Sequence, residues 1–346
     1  MWKNANQILK VYELSIFFNK KNIMTQEFSG KDPKSVQKVT SIGAGPIGAG
    51  WSAYFLSQGY KVSVYLHEAS EKDVLLNLIN TAWISLEALG LAEGASRDNL
   101  YCSTDLADAV NDSDFIQESV PENLTLKQKV YTQLGELVPD NVVIASSTSG
   151  LPMSEIQAQC STPQRTVVGH PFNPPYLLPL VEIVRGSQTS AEAVKWLVEF
   201  YQVAGKAPLV LSKEIPGFIA TRLQEAIWRE ALHMVDNDEA TVEQIDFAIT
   251  NGPGPRWALM GPCMAFHLGG GEGGMAYTLD QFGPALKLPW TRLKAPELTK
   301  ELRNKMVDGC LREAGGREIT VMNRDRDRGL VAIRNALKAS DLQSYS

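Results

Sequence analysis

The sequence predicts an α/β domain with a mostly parallel sheet, followed by an all-α domain. Up to about residue 215, short β-branched runs alternate with helical segments, which is typical of parallel strands joined by crossover helices. After Pro216-Gly217, apolar residues recur at helical spacing and no strand pattern returns. We therefore divide the chain into an extension (1–38), an α/β domain (39–215) and a helical domain (216–346).

Each element follows from its residue types. The strands are short β-branched or apolar runs, and the helices are longer segments whose apolar residues recur every three or four positions. Thr241, followed by Val-Glu-Gln, has the form of a capped helix start. Predicted strands cover 39–42, 61–66, 114–118, 142–145, 167–169 and 180–184, and predicted helices cover 49–59, 70–90, 124–137, 191–204, 218–236, 297–312 and 320–338.

Charge and composition argue against several kinds of partner. The 346 residues carry 33 basic and 39 acidic side chains, a net charge of −6, which disfavours nucleic acid or an anionic membrane as the main partner. No apolar run approaches the ~20 residues of a membrane-spanning helix. The four cysteines are scattered without a CxxC pair, so we expect reduced thiols, no metal site and a cytoplasmic location.

The extension has a composition of its own. Residues 1–38 hold seven lysines and three acidic residues, and the apolar patch at 14–18 is too short for a secretory signal. We expect a disordered extension or sequence upstream of a start at Met24. A role in organelle targeting is the alternative.

A glycine-rich loop separates the first predicted strand from the first helix. Its spacing is G-x-G-x-x-G, in which the first glycine permits a tight turn, the second admits a pyrophosphate and the third allows helix and strand to pack closely. The free N–H groups of the helix start then face the phosphates. This predicts a Rossmann-type dinucleotide site formed by Gly43, Ala44, Gly45, Pro46, Ile47 and Gly48.

One expected residue of an NAD site is missing. Such sites carry Asp or Glu at the end of the second strand to bind the ribose hydroxyls, and here that position is Leu66. Glu68 is a possible substitute two positions on. His67 and Lys61 leave NADP as an alternative, but no arginine stands at the strand end, so NAD is favoured.

A histidine and a glutamate form the predicted catalytic pair. His170 follows a β-branched run directly, at the strand end where α/β sheets bind ligands. Glu182 lies in the apolar run 180–184, where a buried carboxylate needs a partner. A histidine held by a glutamate is a general-base arrangement, and a dinucleotide beside it predicts oxidation of a secondary alcohol.

Several segments occur in an order that resembles the 3-hydroxyacyl-CoA dehydrogenase family, from about residue 39 to 270. The resemblance implies an NAD-dependent dehydrogenase in which His170 takes the proton of a 3-hydroxyl and Glu182 orients the histidine. The segments are the glycine loop, 118–123, 146–151, 169–174 and 216–219.

The same resemblance assigns further residues. Ser149 lies beside the substrate oxygen, and Glu122, Lys127 and Asn173 lie on the cofactor side. The family's asparagine after Pro-Gly-Phe-Ile is Thr221 in this chain, which can still donate one hydrogen bond. A non-catalytic protein with this fold, as in lens crystallins of the superfamily, remains an alternative that the intact Ser149, His170 and Glu182 disfavour.

The substrate prediction rests on the segments 252–262, 266–275 and 281–291. They are similar to a branch of the family that oxidises the 3-hydroxyl of L-carnitine. Proteins hold a quaternary ammonium, which cannot donate a hydrogen bond, with aromatic faces. Arg256 or a serine could meet the carboxylate. The candidate aromatic residues are Trp257, Phe266, Tyr277, Phe282 and Trp290.

Other substrates stay open at this point. Another 3-hydroxy acid, L-gulonate or a 3-hydroxyacyl-CoA would suit the same catalytic pair. A CoA substrate should require a basic groove near residues 70–85, where the chain instead has Glu71, Lys72 and Asp73. The apolar stripes of the helical domain are typical of a dimer interface, so we expect a homodimer.

Overall fold

The computed structural model describes residues 28–258, 260–282, 291, 299–302, 304 and 316–339. These residues form an α/β domain with a mostly parallel sheet, followed by helices, which confirms the predicted fold class. In the part of the chain so described, no helix is long and apolar enough to span a membrane.

Eight strands form one sheet in the order β3-β2-β1-β4-β5-β6-β7-β8. All neighbouring pairs are parallel except β6 and β7. From β1 the strand order runs to one side of the sheet through β2 and β3, and from β4 onward it runs to the other side. Dinucleotides bind at this switch point between β1 and β4 in such sheets. The strands are β1 (Lys38–Ile42), β2 (Lys61–Tyr65), β3 (Leu100–Ser103), β4 (Phe115–Glu118), β5 (Val143–Ser146), β6 (Thr166–Pro171), β7 (Leu180–Arg185) and β8 (Ala207–Val210).

Helices cover the sheet and continue into the second domain. In the α/β domain they are α1 (Pro46–Ser57), α2 (Glu71–Leu89), α3 (Leu106–Val110), α4 (Leu124–Leu137), α5 (Met153–Ile156) and α6 (Ala191–Val203). The second domain contributes α7 (Ala220–Asp236), α8 (Val242–Asn251), α9 (Gly254–Trp257), α10 (Pro262–Gly269), α11 (Gly274–Phe282) and α12 (Ile319–Ala339). The helix predicted over 297–312 lies largely outside the described residues.

Strands β3 and β8 were not expected from the sequence. Each is four residues long and lies at an edge of the sheet, where one side needs no partner strand. Tyr101 in β3 is exposed, and Pro208 in β8 is a residue that central strands avoid. Edge strands of this length do not show the apolar pattern on which strand prediction depends.

The antiparallel pair β6 and β7 positions the catalytic candidates. Its register places His170 directly opposite Glu182. Residues directly opposite each other in an antiparallel pair have side chains on the same face, close enough to interact. The twelve-residue spacing in the sequence is therefore converted into a side-chain contact by one reversal of the chain.

Part of the N-terminal extension is ordered against the α/β domain. Phe28 is buried, and Lys31 makes a 2.9 Å ion pair with Asp114. The indole N–H of Trp196 donates to the carbonyl of Lys31. The expectation of a disordered extension is therefore wrong for residues 28–38, because they pack on the sheet domain; residues 1–27 lie outside the described part.

The last helix returns to the α/β domain. The Tyr176 hydroxyl donates to Asp327 Oδ2 on α12 at 2.7 Å, and an Arg334 guanidinium N–H donates to the Leu177 carbonyl at 2.6 Å. Both contacts fall on the loop between β6 and β7. The second domain therefore supports the loop that follows His170.

Candidate active site

A cavity of about 1000 Å³ lies at the carboxyl ends of the central strands and extends to the start of α7. That volume is within the range of small-molecule and cofactor sites. The predicted catalytic and cofactor-binding residues line it, except for Gly48 and Glu182. Those in the lining are Gly43, Ala44, Gly45, Pro46, Ile47, Glu122, Lys127, Ser149, His170, Asn173 and Thr221.

The three glycines of the loop meet three different steric demands. Gly43 has φ +110°, and a Cβ there would lie 2.9 Å from the Ser119 carbonyl oxygen. A Cβ on Gly48 would lie 2.1 Å from the Gly43 carbonyl oxygen, so only glycine allows this approach of helix and loop. At Gly45 a Cβ would meet nothing within 4 Å, so the backbone there faces open space.

This loop fits the pyrophosphate of NAD. Gly45 caps α1 without a side-chain hydrogen bond, and Pro46 begins the helix. The N–H groups of the first turn and the positive end of the helix dipole are therefore available to an anion. Gly45, Pro46 and Ile47 all line the cavity, so this helix start opens into the same space as His170.

The end of β2 differs from what the sequence suggested. Leu66 is only 2% exposed and packs in the hydrophobic core. Glu68 lies outside the cavity lining, and its Oε2 accepts a hydrogen bond from Ser70 at 3.3 Å. The lining at this point comes from Tyr65, His67 and Glu71 instead.

His170 and Glu182 form a buried pair at the other end of the cavity. His170 Nδ1 lies 2.9 Å from Glu182 Oε2, and the imidazole is nearly buried. Nδ1 donates to the carboxylate when the ring is neutral, which leaves Nε2 as a proton acceptor. Nε2 makes no hydrogen bond with the described residues, and His170 lines the cavity.

The carboxylate of Glu182 is held from two domains. Its Oε1 accepts hydrogen bonds from the backbone N–H groups of Ile219 and Ala220, each at 2.9 Å, where α7 begins. Burial raises the pKa of Glu182, but the hydrogen bonds from His170 and from the two N–H groups outweigh burial, so the pKa lies below its usual value. Glu182 is thus kept ionised beside His170.

Two phenylalanines flank the imidazole. The ring of Phe218 lies 5.5 Å from that of His170, and the ring of Phe172 lies 6.0 Å away with an edge-on geometry. Phe218 is buried with φ +51°, a left-handed conformation that costs a non-glycine residue about 1–2 kcal/mol. The strained Gly217-Phe218 turn delivers the N–H groups of Ile219 and Ala220 to Glu182.

Ser149 is positioned by Glu122. The Glu122 Oε1 accepts from Thr148 Oγ1 at 2.6 Å, from the Ser149 N–H at 3.1 Å and from Ser149 Oγ at 3.4 Å. All of these groups lie beside strand β5, and both Glu122 and Ser149 line the cavity. Glu122 therefore fixes Ser149 in the wall of the cavity that the glycine loop and His170 also line.

Lys127 makes a buried ion pair at the wall of the cavity. Its Nζ donates to Glu118 Oε1 at 2.8 Å and lies 3.5 Å from Glu122 Oε2. Glu118 also accepts from Ser146 Oγ at 2.6 Å. Because both charges are buried, each requires the other, and the pair fixes Glu122 and the end of β5.

A hydrogen-bond chain that no sequence pattern predicted runs from the core to the cavity. Tyr201 donates to Gln117 Oε1, and Gln117 Nε2 donates to Ser147 Oγ at 2.7 Å and to the Gly169 carbonyl at 3.3 Å. Ser147 and Ser119 share a hydrogen bond of 2.8 Å, and both line the cavity. Each serine follows a strand end, which was the available signal.

The aromatic residues proposed for the ammonium group do not reach the cavity. The described ones are half-exposed or exposed, none of them lines the cavity, and Arg256 is absent from the lining too. Phe172 and Gln224 line it instead, and neither was singled out from the sequence for a substrate role. Trp290 lies outside the described residues; the other candidates are Trp257, Phe266, Tyr277 and Phe282.

Family models match both halves of the chain. Residues 38–215 match the 3-hydroxyacyl-CoA dehydrogenase, NAD binding domain, and residues 217–310 match the 3-hydroxyacyl-CoA dehydrogenase, C-terminal domain. The first match supports NAD as the cofactor of the cavity. Together they support an NAD-dependent oxidoreductase.

Curated relatives cover nearly the same length. An L-carnitine dehydrogenase of Streptomyces coelicolor is 54% identical over 88% of this chain and 96% of its own. That of Bacillus cereus is 51% identical over 86% of this chain and 92% of its own. That of Pseudomonas putida is 46% identical over 88% of this chain and 95% of its own.

Solved structures share the architecture. An NAD+-dependent 5-formyl-3-hydroxy-2-methylpyridine 4-carboxylic acid 5-dehydrogenase is 26% identical with a TM-score of 0.74, over 88% of this chain and 99% of its own. A 3-hydroxybutyryl-CoA dehydrogenase of Escherichia coli is 28% identical with a TM-score of 0.59, over 80% of this chain and 57% of its own.

Proposed function

The chain belongs to the 3-hydroxyacyl-CoA dehydrogenase family, and we propose that within it the enzyme oxidises the 3-hydroxyl of L-carnitine to 3-dehydrocarnitine with NAD. One observation carries the chemistry: the buried His170–Glu182 pair opens on a cavity that also contains the dinucleotide loop. The choice of substrate is supported by relatives named L-carnitine dehydrogenase, 46–54% identical to this chain.

His170 acts as the general base. Oxidation of a secondary alcohol removes a proton from oxygen and a hydride from carbon, and bound NAD supplies the hydride acceptor. His170 Nε2 accepts the hydroxyl proton, since Nδ1 is engaged with Glu182. The carboxylate fixes the tautomer of the ring and stabilises the imidazolium that forms.

Hydroxyl and amide groups orient the substrate around His170. When substrate binds, Ser149 Oγ donates to the substrate oxygen in place of its long 3.4 Å bond to Glu122, and the bond from the Ser149 N–H to Glu122 keeps the serine in position. Thr221 and Gln224, one turn apart on α7, also line the cavity. Their hydroxyl and amide are the donors we assign to the carboxylate of L-carnitine.

The ammonium group needs an aromatic surface rather than a hydrogen-bond acceptor. Phe172 lines the cavity two residues after His170, and its ring contacts the imidazole edge-on. A quaternary ammonium over such a ring gains about 0.5–2 kcal/mol. We therefore assign the trimethylammonium group to Phe172, in place of the exposed aromatic residues of α9 to α11.

A substrate panel tests this function. Formation of reduced nicotinamide is followed at alkaline pH with NAD or NADP and with L-carnitine, D-carnitine, L-gulonate or 3-hydroxybutyryl-CoA. We expect oxidation of L-carnitine with NAD, and competitive inhibition by γ-butyrobetaine, which lacks the hydroxyl. Turnover of L-gulonate or the CoA ester without turnover of carnitine would overturn the substrate, and absence of both turnover and NAD binding would favour a structural protein.

We also propose that the second domain forms a homodimer interface. Large apolar side chains are exposed along α7 and again on α10 and α11. On α7, Leu223 and Ile227 are four residues apart, on one face, with Trp228 adjacent. Sedimentation should show a dimer that Trp228→Lys weakens, and a wild-type monomer at micromolar concentration would contradict the proposal.

A further inference from the structure

We propose that Glu71 binds the adenosine ribose hydroxyls of NAD, in place of the acid that is missing at the end of β2. Rossmann-type sites place that ribose beyond the second strand, where a carboxylate accepts hydrogen bonds from its hydroxyls. The strand ends at Tyr65, and the next residue is Leu66. The acid must therefore come from elsewhere.

Leu66 cannot contribute to this contact. Its N–H donates to the Ser103 carbonyl at 2.9 Å, which continues the backbone alongside β3, and its side chain is buried in the core. An aliphatic side chain cannot accept a hydrogen bond, and here position 66 is used for packing. The ribose end of the cavity has no carboxylate from β2 itself.

Glu71 occupies that end of the cavity. It is the first residue of α2, and its Oε2 accepts a hydrogen bond from the His67 N–H at 2.8 Å. Glu71 and His67 both line the cavity together with the glycine loop. The backbone of His67 thus holds the carboxylate over the end of β2, and the helix dipole favours a negative charge at this position.

One oxygen of Glu71 is left for a ligand. Oε1 makes no hydrogen bond with the residues that the structure describes. Glu68 and Asp73 are the neighbouring acids, but neither lines the cavity. Glu71 is therefore the carboxylate at this end of the cavity that can accept from ribose hydroxyls.

The same carboxylate sets the cofactor preference. A 2′-phosphate placed beside Glu71 would meet a like charge, which disfavours NADP. The exposed His67 imidazole lines the cavity too. If the negative charge of Glu71 were removed, this imidazole would remain beside the 2′ position and could accommodate a phosphate. This inference concerns the cofactor alone and does not depend on which hydroxy acid is oxidised.

Direct binding of NAD and NADP, without substrate, tests the role of Glu71. Calorimetric titration should show that Glu71→Gln binds NAD at least about 10-fold more weakly than the wild type, because the variant loses a charge-assisted hydrogen bond. The ratio of the NAD and NADP affinities should also become smaller. The matched control is Glu68→Gln, which removes a carboxylate outside the cavity and should leave both affinities unchanged.

An NAD analogue with 2′-deoxyadenosine distinguishes a direct hydrogen bond between Glu71 and the ribose from an indirect effect of Glu71 on the backbone. If Glu71 binds the 2′ hydroxyl, wild-type protein loses affinity for this analogue and Glu71→Gln loses little more. Unchanged NAD affinity in Glu71→Gln would overturn the inference. The inference would also be overturned if Glu71→Gln lowered the affinity for NAD and for the deoxy analogue by the same factor, because Glu71 would then act only through the backbone at His67.

Discussion

The two ends of the cavity hold their carboxylates in different ways. Glu182 is fully buried, and its two oxygens accept from His170 and from the N–H groups of Ile219 and Ala220. Glu71 is half-buried at the start of a helix, where one backbone N–H holds it. The carboxylate that we propose to be catalytic is fixed by strand register and by the domain junction, whereas the one that we propose to bind the cofactor comes from a position near the end of β2.

This difference predicts two kinds of variant. Substitutions at the His170 end should lower kcat or stability and leave NAD affinity intact. Substitutions at the Glu71 end should change NAD affinity and leave the chemical step intact.

The largest effect is expected at the base. His170→Gln should lower turnover of L-carnitine about 10²–10⁴-fold, because no group replaces Nε2 as proton acceptor. NAD affinity, measured by titration, should stay at the wild-type value. The matched control is His233→Gln on α7, outside the cavity. A His170 variant with reduced NAD affinity and normal kcat would erase the proposed separation.

Glu182→Gln should lower both stability and turnover. An amide has one oxygen and one NH₂ group, so it cannot accept from His170 on one side and from two N–H groups on the other. We expect a loss of about 2 kcal/mol in the free energy of unfolding, measured by denaturant titration.

Glu199→Gln provides the comparison for that loss. Glu199 is exposed on α6, and its partner among the described residues is Lys195, one turn away at 4.0 Å. Removing its charge should change the free energy of unfolding by less than about 0.5 kcal/mol. Equal effects of the two substitutions would mean that the bonds of Glu182 contribute little.

The parts of the site that the sequence made predictable depend on local patterns. A glycine spacing after a strand predicts the loop, and a glutamate in an apolar run predicts a partner such as His170. The remaining contacts join residues that are far apart in the chain. Ile219 and Ala220 reach Glu182 across 37 and 38 residues, through a domain orientation that no local pattern encodes.

The direction in which each side chain points was the second property of the site that the sequence could not predict. The sequence showed five candidate aromatic residues between positions 257 and 290, but not which of them face the cavity. Similarly, leucine at position 66 showed that the expected acid is missing, but only the path of the backbone shows that Glu71 returns to the end of β2. Both questions are decided by packing rather than by sequence spacing.

Ser149→Ala should have a smaller effect than either member of the pair. It removes one hydrogen bond to the substrate oxygen, which predicts a loss of about 10-fold in kcat/KM for L-carnitine. Ser187→Ala, exposed and outside the cavity, is the control for steady-state kinetics. A loss confined to the KM for NAD would instead move Ser149 to the cofactor side.

The smallest effect is a pH dependence of stability. The lowered pKa of Glu182 means that the folded protein favours its ionised form. The stabilisation is present above the unfolded pKa of about 4.3 and is lost as pH falls through the lower folded value. The stability difference between wild type and Glu182→Gln should therefore shrink between about pH 5 and pH 3, and a constant difference would exclude this linkage.

The pH profile of kcat/KM for L-carnitine, in wild type and in His170→Gln, tests most directly whether His170 takes the substrate proton. For the wild type we predict a rate that falls toward acidic pH, because a general base acts only in its unprotonated form. In His170→Gln the residual rate should lack that acidic limb. A variant that keeps the wild-type rate and the same acidic limb would show that another group is the base.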